Sequence, residues 1–495
     1  MKLQELASAL LITHIHGNAE TEITGIEADS RKIKPGYLFL CIPGLTVDGH
    51  DYAPKAIALG ASALVTERVL DLPIPQLVVK DARYAMAALS AHFYGYPSKE
   101  MKIIGFTGTN GKTTSTYLLE KILRDQGFIT GLMGTIEMKI GDNYYEMERT
   151  TQEAVDLQSS FRKMCEHKTD YCLMEVSSHA LELGRVKGIH FRSGIFTNLT
   201  QDHLDYHKTM EAYAAAKGLL FSRLGNGFTS NPAERQYAIL NADDEASALF
   251  SKLTAAQIIT YGISQECDVR AANIRMSAKG TEFQLISFAG EAYFQMKLVG
   301  KFNVYNALGA IAAALAEGIS LEAIRNSLES LNVVEGRMEV VDEGQEYLVL
   351  VDYAHTPDGL ENALSTISEF AEGKVITVFG CGGDRDRTKR PIMGKVTAAY
   401  SDYLYVTSDN PRTEDPEAIL ADIRPGLQEV NYPAEKAEFI VDRKKAIQKA
   451  IEGAGPKDVI LIAGKGHETY QDIMGVKHDF DDRLVAKAAI RGRGR

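Results

Sequence analysis

Short apolar runs alternate with amphipathic segments along most of the chain. In the middle third, the runs at 171–176, 194–199 and 237–241 have the length of buried strands, and each ends in polar residues. Between such runs, apolar side chains recur at helical spacing, as they do across 117–123. This alternation of strands and helices predicts an α/β domain built on a doubly wound parallel sheet.

The last third of the chain repeats the same pattern. Apolar runs within 347–355, 374–387, 403–412 and 458–468 each stop in a polar or glycine-rich segment. Parallel strands bring such segments to one edge of a sheet. We therefore predict a Rossmann-like C-terminal domain whose working loops share one edge.

Chain length and the breaks in this pattern predict three domains. A chain of 495 residues exceeds what one hydrophobic core organises. Residues 1–98 are predicted to form a small α/β domain, 99–332 a central domain and 333–495 the C-terminal domain.

Composition and charge narrow the class of protein. The net charge of −12 argues against a nucleic-acid partner or an anionic membrane surface. The five cysteines are odd in number and show no C-x-x-C spacing, which is typical of reduced thiols in a cytoplasm. The sequence contains no stretch of 18 apolar residues, so no membrane span is predicted. These features predict a cytoplasmic, multidomain protein, and we expect it to be a monomer that binds small molecules.

The segment 101–126 carries the clearest chemistry in the sequence. A short apolar strand leads into the turn TGTNGKTT, which opens an amphipathic helix. Backbone N–H groups in such a turn bind anions, a lysine like Lys112 reaches phosphate oxygens, and a hydroxyl like that of Thr113 ligates Mg²⁺. A standard P-loop has glycine at the position of Phe106, so an ordinary tight turn remains an alternative. The predicted phosphate-binding residues are Gly108, Thr109, Asn110, Gly111, Lys112, Thr113 and Thr114.

Several polar residues outside this turn have two interpretations each. Glu175 is either a Mg²⁺ ligand or a strand-end carboxylate facing water, and His203 is either a metal or phosphate ligand or a locally bonded helix-start histidine. Lys217, on an alanine-rich helix, is interpreted as a solvent-exposed or snorkelling lysine. Asn303 and Asn306, one helical turn apart, suit an adenine edge, although Asn303 also suits a helix cap.

Taken in order, the motifs of the chain resemble those of the Mur ligases. The resemblance covers essentially the whole chain and implies a UDP-binding N-terminal domain, a central ATPase domain and a Rossmann-like C-terminal domain. It implies an ATP- and Mg²⁺-dependent amide ligase of peptidoglycan precursor synthesis, and so of cell shape and division. The motifs are GTNGKTT, EVSSH, NLTQDHLDYH, FNVYNALGA, GRME, DYAHTP, GCGGDRD, DNPR and GKGHE.

The resemblance also implies a role for individual residues. The expected substrates are UDP-N-acetylmuramoyl-L-Ala-D-Glu and meso-diaminopimelate. Residues expected at the UDP-sugar dipeptide are Ser30, Leu45, Thr46, Val47, Thr150, Thr151, Ser177 and Arg185. Adenosine contacts are expected from Asn303, Asn306, Arg337 and Asp352. The implied metal ligands are Thr113, Glu175, His203 and Lys217, the last as a carbamate, and the implied catalytic residues are Lys112, His203 and Lys217. Diaminopimelate is expected at Arg385, Asp409, Asn410, Pro411, Arg412, Gly464 and Glu468.

The chemistry of amide formation explains these residue types. A carboxylate becomes an electrophile when it receives the γ-phosphoryl group, and Mg²⁺ with Lys112 neutralises the encounter of two anions. Ser177 and Ser178 are predicted to bind rather than attack, because no G-x-S-x-G surrounds them.

The residues expected to bind the incoming amino acid favour diaminopimelate as the substrate within this family. Arg412 and Arg385 suit carboxylates, whereas Asp409 and Glu468 suit ammonium groups. Lysine lacks the distal carboxylate and would leave a guanidinium unpaired. The alternatives are a lysine-adding Mur ligase, a folylpolyglutamate-type ligase, a P-loop NTPase switch and a non-enzymatic UDP-sugar binder.

Overall fold

The computed structural model describes residues 1–44, 47–145, 147, 149–277, 280–331 and 333–493. Within these residues, three successive α/β units are each built on their own sheet. This arrangement confirms the predicted α/β class. The exact domain boundaries stay predictions.

The N-terminal unit has a sheet of strand order β1-β5-β4-β3-β2, in which only the edge strand β1 runs antiparallel to its neighbour. Helix α3 begins at Ala82, and the Asp81 carboxylate accepts a hydrogen bond from the Tyr84 N–H as its N-cap. The elements are α1 Leu3–Ala7, β1 Thr13–His16, β2 Gly25–Glu27, β3 Tyr37–Leu40, α2 Ala53–Ala58, β4 Ala63–Thr66, β5 Gln76–Val79 and α3 Ala82–Phe93.

The central unit is organised around strand β6, which lies inside an extended mixed sheet of order β16-β15-β14-β13-β12-β11-β6-β10-β7-β8-β9. The strands from β7 to β14 in this order are parallel around β6, and antiparallel strands extend both edges. The elements are β6 Lys102–Thr107, α4 Lys112–Asp125, β7 Thr130–Met133, β8 Met138–Ile140, β9 Asn143–Tyr145, α5 Ala154–Glu166, β10 Tyr171–Glu175, α6 Ser178–Glu182, β11 Phe191–Phe196, α7 Leu204–His207, α8 Met210–Phe221, β12 Tyr237–Asn241, α9 Ala246–Leu253, β13 Gln257–Gly262, β14 Val269–Ser277, β15 Gly280–Ser287, β16 Gly290–Met296, α10 Lys301–Ala316 and α11 Leu321–Ser330.

The C-terminal unit has a sheet of order β17-β18-β22-β19-β20-β21, parallel except at the short edge strand β17, together with a separate hairpin formed by β23 and β24. The elements are β17 Glu339–Val340, β18 Leu348–Asp352, α12 Pro357–Phe370, β19 Val375–Phe379, α13 Lys389–Tyr400, β20 Tyr403–Thr407, α14 Pro416–Glu429, β21 Ala437–Ile440, α15 Arg443–Gly453, β22 Val459–Ala463, β23 Tyr470–Ile473, β24 Val476–Asp479 and α16 Asp482–Arg493.

The parallel strands end where the sequence turns polar, and this places the loops of interest together. The strand predicted within 374–387 ends at Phe379, and the one predicted within 458–468 ends at Ala463. The polar and glycine-rich remainders therefore leave the sheet as loops at one edge, as predicted.

Two predictions from composition are also met by the described residues. The five cysteines are free thiols, three of them buried. Across the described ranges, no helix combines the length and apolar character needed to cross a membrane.

Candidate active site

The turn between β6 and α4 forms a cradle whose shape requires glycine. Gly108 has a φ of 152°, and a Cβ there would lie 1.8 Å from Thr197 Oγ1. Gly111, with a φ of 83°, precedes the first residue of α4, where a Cβ would lie 2.2 Å from Asn306 Oδ1. The backbone therefore approaches its neighbours closely and leaves the N-terminus of α4 open to an anion.

The Lys112 side chain folds back and binds the backbone of the same turn. Its Nζ donates hydrogen bonds to the carbonyl oxygens of Gly108, at 2.9 Å, and Thr109, at 2.8 Å. Burial lowers the pKa of Lys112, against the opposing charges of Glu175 and Asp202. The cradle lines a cavity of about 560 Å³ that also receives side chains from the C-terminal unit.

Lys217 is buried, which makes the expectation of a solvent-exposed lysine wrong. Its exposed fraction is 1%, and its Nζ donates to the carbonyl oxygen of Gly108 at 2.7 Å and lies 4.4 Å from the ring centre of Tyr213. Helix α8 packs against α6, α9 and β6, so its alanine-rich surface is covered on several sides. Burial, reinforced by the charge of Lys112, lowers the pKa of Lys217 well below the usual value.

Glu175 is buried at the end of β10, so the water-facing interpretation is wrong. Its exposed fraction is 1%. Its Oε1 accepts hydrogen bonds from Thr113 Oγ1 and the N–H of Thr135, both at 2.9 Å, and its Oε2 accepts one from Thr135 Oγ1 at 3.0 Å. The carboxylate is thereby held against the first turn of α4.

This arrangement fits a magnesium ion bound mainly through phosphate. Glu175 and Thr113 offer two hard oxygen ligands side by side, which is the ligand type that Mg²⁺ prefers. Among the residues that the structure describes, no group of three His, Cys, Asp or Glu residues forms a complete protein cage. Mg²⁺ usually takes its remaining ligands from phosphate and water, so the two oxygens suffice for that mode of binding.

His203 precedes the short helix α7 in a left-handed conformation, with a φ of 56°. Its N–H donates to Asp202 Oδ1 at 2.8 Å, and its Nε2 lies 3.4 Å from Asp202 Oδ2. Burial lowers the pKa of His203 to about 4, although Asp202 opposes the shift. The ring is therefore neutral at pH 7, as a metal ligand must be. The hydrogen bond to Asp202 also fits the interpretation of a locally bonded histidine, so both interpretations stay open.

The two asparagines of α10 have different positions. Asn303 lies inside the helix, which is capped by Gly300, so the capping interpretation is wrong. Asn303 Nδ2 donates to the Val299 carbonyl at 2.9 Å, and its Oδ1 accepts from Asn306 Nδ2 at 3.0 Å. Asn306 lines the cavity beside Gly111, with Asn303 behind it. Adenine binding by this pair stays a prediction.

The C-terminal unit completes the far wall of the cavity. Arg337 Nη2 donates to Thr113 Oγ1 at 3.1 Å, and its guanidinium lies 4.8 Å from the ring centre of Tyr353. Both oxygens of Asp352 accept backbone N–H groups, and burial raises its pKa. Asn110 Nδ2 donates to Asp358 Oδ2, which joins the cradle directly to the first turn of α12.

The residues expected at the acceptor dipeptide gather beside Glu175. Thr151 Oγ1 donates to the Glu175 carbonyl at 2.9 Å and accepts from the Ser177 N–H at 3.1 Å. The hydroxyls of Thr150 and Thr135 share a hydrogen bond of 3.1 Å. Arg185 Nη1 donates to the Thr151 carbonyl at 3.1 Å.

The expected UDP-binding residues belong to the N-terminal unit. Ser30 is buried there, whereas Val47 is exposed. Leu45 and Thr46 lie outside the described residues. The structure therefore leaves UDP binding by this unit as a prediction.

The amino-acid loops of the C-terminal unit present two neighbouring arginines. Arg412 has a φ of 50°, and its N–H donates to the Asp472 carbonyl at 3.0 Å while its carbonyl accepts from the Met474 N–H at 2.7 Å. Its Nη1 donates to the Gly383 carbonyl at 2.7 Å. Burial, followed by the charge of Arg412, lowers the pKa of Arg385. A Cβ on Gly382 would lie 2.9 Å from Arg412 Nη1 and 3.8 Å from Arg385 Cγ, so the two arginine side chains flank the same glycine and suit carboxylates.

Two carboxylates, those of Asp409 and Glu468, belong to the same group of loops. Asp409 Oδ2 is buried without a hydrogen-bond partner in the described structure, and a Cβ on Gly464 would lie 2.5 Å from it. Asn410 Nδ2 donates to Glu468 Oε2 at 2.8 Å. Pro411 lies between Asn410 and Arg412, and its carbonyl accepts from the Glu414 N–H. An unpaired carboxylate oxygen suits an ammonium group.

A buried ion pair supports these loops from below. Arg443, at the start of α15, pairs with Asp482 of α16 through Nε at 2.8 Å and Nη2 at 2.7 Å. Both side chains are fully buried, and Arg443 Nη2 also donates to the Ala463 carbonyl at 3.0 Å. The final helix is thereby tied to the strand that carries the GKGHE loop.

Sequence reasoning missed several residues that the structure places in the site. Thr135 holds both oxygens of Glu175, and Asp358 contacts the cradle from the C-terminal unit. Lys465 lies within the GKGHE motif and was not singled out, although its position between two glycines was a usable signal.

Models of the Mur ligase family match all three units. The family model described as "Mur ligase family, catalytic domain" matches residues 22–94, "Mur ligase middle domain" matches 106–314, and "Mur ligase, glutamate ligase domain" matches 336–466. The chain belongs to the Mur ligase family. This confirms the resemblance and decides against a P-loop switch and a non-enzymatic UDP-sugar binder.

Within the family, the chain is similar to proteins named UDP-N-acetylmuramoyl-L-alanyl-D-glutamate–2,6-diaminopimelate ligase. The one from Bacillus cereus is 52% identical over 493 residues, covering 100% of this chain and 99% of that protein. The one from Listeria monocytogenes is 49% identical and covers 99% of both. A solved structure of a ligase with that name has 34% identity, full coverage of both chains and a TM-score of 0.70. The MurF ligase from Thermotoga maritima in complex with ADP has 17% identity, coverage of 96% and 97%, and a TM-score of 0.62, and so shows the fold alone.

Proposed function

We propose that the protein uses ATP to join meso-2,6-diaminopimelate to the D-Glu carboxylate of UDP-N-acetylmuramoyl-L-Ala-D-Glu, releasing ADP and phosphate. The observation that carries this proposal is the 52% identity, over the full chain, to a relative named for this reaction. The two arginines and the unpaired Asp409 oxygen support it, because diaminopimelate offers carboxylates and ammonium groups together. ATP and UDP-linked precursors are cytoplasmic compounds, so we place the reaction there. The cradle, the acceptor residues and the amino-acid loops that the structure describes all come from one chain, and this supports a monomer.

The cradle prepares the γ-phosphoryl group for transfer. Lys112 exchanges its two loop carbonyls for phosphate oxygens, and the N–H groups at the start of α4 bind the remaining charge. Thr113 and Glu175 would hold Mg²⁺, which when bound neutralises phosphate charge. Arg337 approaches the same point from the C-terminal unit.

Ligation then follows in two displacements. A carboxylate oxygen of D-Glu attacks the γ-phosphorus, the bond to the β,γ-bridging oxygen breaks, and ADP leaves. The neutral amine of diaminopimelate attacks the acyl phosphate, the C–O bond breaks, and phosphate leaves with loss of one amine proton. Thr150, Thr151, Ser177 and Arg185 lie where they orient the acceptor carboxylate beside Glu175. Positioning of this kind contributes up to about 7–11 kcal/mol.

Lys217 is proposed to act as a carbamate. Carbamate formation joins an amine nitrogen to CO₂ with loss of one proton, so it requires the neutral amine. Burial beside Lys112 lowers the pKa of Lys217 and thereby favours the neutral form. The product places an anionic oxygen group near Gly108, where it offsets the charge of Lys112 and offers a hard ligand.

The proposed reaction is tested by measuring phosphate release from the purified protein. ATP, Mg²⁺ and UDP-N-acetylmuramoyl-L-Ala-D-Glu are supplied with meso-diaminopimelate or L-lysine in parallel, and each substrate is omitted in turn. We expect rapid release only with the dipeptide and diaminopimelate together, and at least about tenfold less with lysine, because lysine lacks the distal carboxylate that would pair with the half-buried Arg412 guanidinium. Equal or faster turnover with lysine would overturn the amino-acid assignment, and release without the dipeptide would overturn the ligase.

Arg412→Ala tests the carboxylate site. The variant removes a fork of donors for a substrate carboxylate, so KM for diaminopimelate should rise about a hundredfold while KM for ATP stays within about twofold. Steady-state titrations of each substrate measure both. Arg387→Ala is the matched control, because Arg387 is exposed and pairs with Asp422 on the surface. Equal weakening of ATP and diaminopimelate would contradict the assignment.

A further inference from the structure

Lys465 is a buried cation at the centre of the amino-acid loops. It lies between Gly464, with a φ of 120°, and Gly466, with a φ of 53°, just after β22. Its exposed fraction is 0%. Its Nζ donates to Glu468 Oε2 at 2.8 Å and to Asn410 Oδ1 at 3.1 Å. One ammonium group therefore bridges the GKGHE and DNPR loops.

The same contacts fix the direction of the Asn410 amide. Its Oδ1 accepts from Lys465 and also from the N–H of Asp472 at 2.9 Å. Its Nδ2 donates to Glu468 Oε2, which thus receives two hydrogen bonds. Glu468 and Asn410 are committed to this network before any substrate arrives.

Charge pairing then leaves Asp409 as the carboxylate available to an ammonium group. Glu468 is paired with Lys465, and Arg443 is paired with Asp482. Asp409 Oδ2 is buried without a hydrogen-bond partner among the described residues. Glu468 Oε2 contacts the amide of Asn410, which belongs to the DNPR loop that also carries Arg412, so the charge balance of the Lys465–Glu468 pair acts on that loop.

We propose that Lys465 is a positioning residue that sets selectivity for an amino acid carrying a distal carboxylate. By pairing with Glu468, it lowers the repulsion between that carboxylate and a substrate carboxylate bound at the DNPR loop. This inference rests on the proposed function, and it assigns to Lys465 no contact with the substrate itself.

The test compares opposite charge changes in the same pair. Lys465→Met leaves an extra negative charge, which disfavours diaminopimelate more than lysine, so the ratio of their kcat/KM values should fall at least about tenfold. Glu468→Gln leaves an extra positive charge, so the same ratio should rise even though both rates fall. The double variant, with neither charge, should return the ratio to within about threefold of the unmodified protein. Each ratio is measured at saturating ATP and dipeptide, and KM for ATP should be unchanged.

Lys477→Met is the matched control. Lys465 Nζ lies 5.5 Å from the centre of the Tyr470 ring, and Lys477 Nζ lies 4.2 Å from it. Lys477 is exposed on β24, so this variant should not change the ratio of kcat/KM values. Thermal unfolding verifies that each variant is folded. If Lys465→Met fails to fold, Glu468→Gln and the double variant still show whether the ratio of kcat/KM values rises when the charge of Glu468 is removed. Equal loss of both amino acids in Lys465→Met, or no rise in Glu468→Gln, overturns the inference. A lack of turnover of diaminopimelate by the unmodified protein instead overturns the proposed function.

Discussion

Replacing Lys112 by alanine is expected to lower kcat/KM for ligation by at least about a thousandfold. The ammonium group is the cation that closes the cradle, and its two present acceptors are backbone carbonyls that it gives up readily to phosphate oxygens. Without it, the γ-phosphoryl group carries its negative charge into contact with a carboxylate. Binding of ATP should weaken less than turnover, because the charge grows as the reaction proceeds.

The measurement is phosphate release under saturating substrates, together with ATP binding by calorimetry. Lys121→Ala is the matched control, because Lys121 lies nine residues further along α4, on its opposite face, and pairs with Asp125. The control should retain full activity. Ligation by Lys112→Ala at a rate close to that of the control would remove Lys112 from the reaction.

Lys217→Ala is expected to be nearly inactive, with a loss of about a hundredfold or more, and to regain part of its activity with added formate or acetate. The truncation opens a space beside Gly108 where a short carboxylate replaces the proposed carbamate oxygens. The readout is phosphate release against carboxylate concentration.

Mass spectrometry of the wild-type protein, digested without acid, gives an independent measurement. In bicarbonate buffer, the peptide containing Lys217 should gain the mass of one CO₂, and acid should remove it. Lys252→Ala is the control, because Lys252 is exposed on the neighbouring helix α9. An unmodified peptide mass, combined with no carboxylate rescue, would show that Lys217 acts as an amine.

The sequence predicted the parts of this protein that depend on local pattern. Buried strands ending in polar loops are visible as apolar runs, so the placement of Glu175 at the end of β10, and of polar loops after β18 and β20, followed from periodicity. The cradle was also visible, because its glycines and Lys112 are adjacent in the chain.

The contacts that the sequence could not show join distant segments. Lys217 looked exposed because an alanine-rich helix carries no signal of which faces are covered, and its burial depends on the packing of α8 against α6, α7, α9 and β6. Asp358 reaches Asn110 across 248 positions, and nothing in either motif indicates that pairing. The proposed role of Lys217 came from the family resemblance. Thr135 and Lys465 could be identified only from their hydrogen bonds in the structure.

The pairing of Arg443 with Asp482 has a consequence for how the protein is made. The ribosome produces α16 after α15, and long after the cradle of the central unit. Until Asp482 arrives, a buried guanidinium lies uncompensated beneath the GKGHE loop, a state that is strongly unfavourable. Nascent chains, and chains shortened to remove α16, should thus bind nucleotide while still failing to select an amino acid.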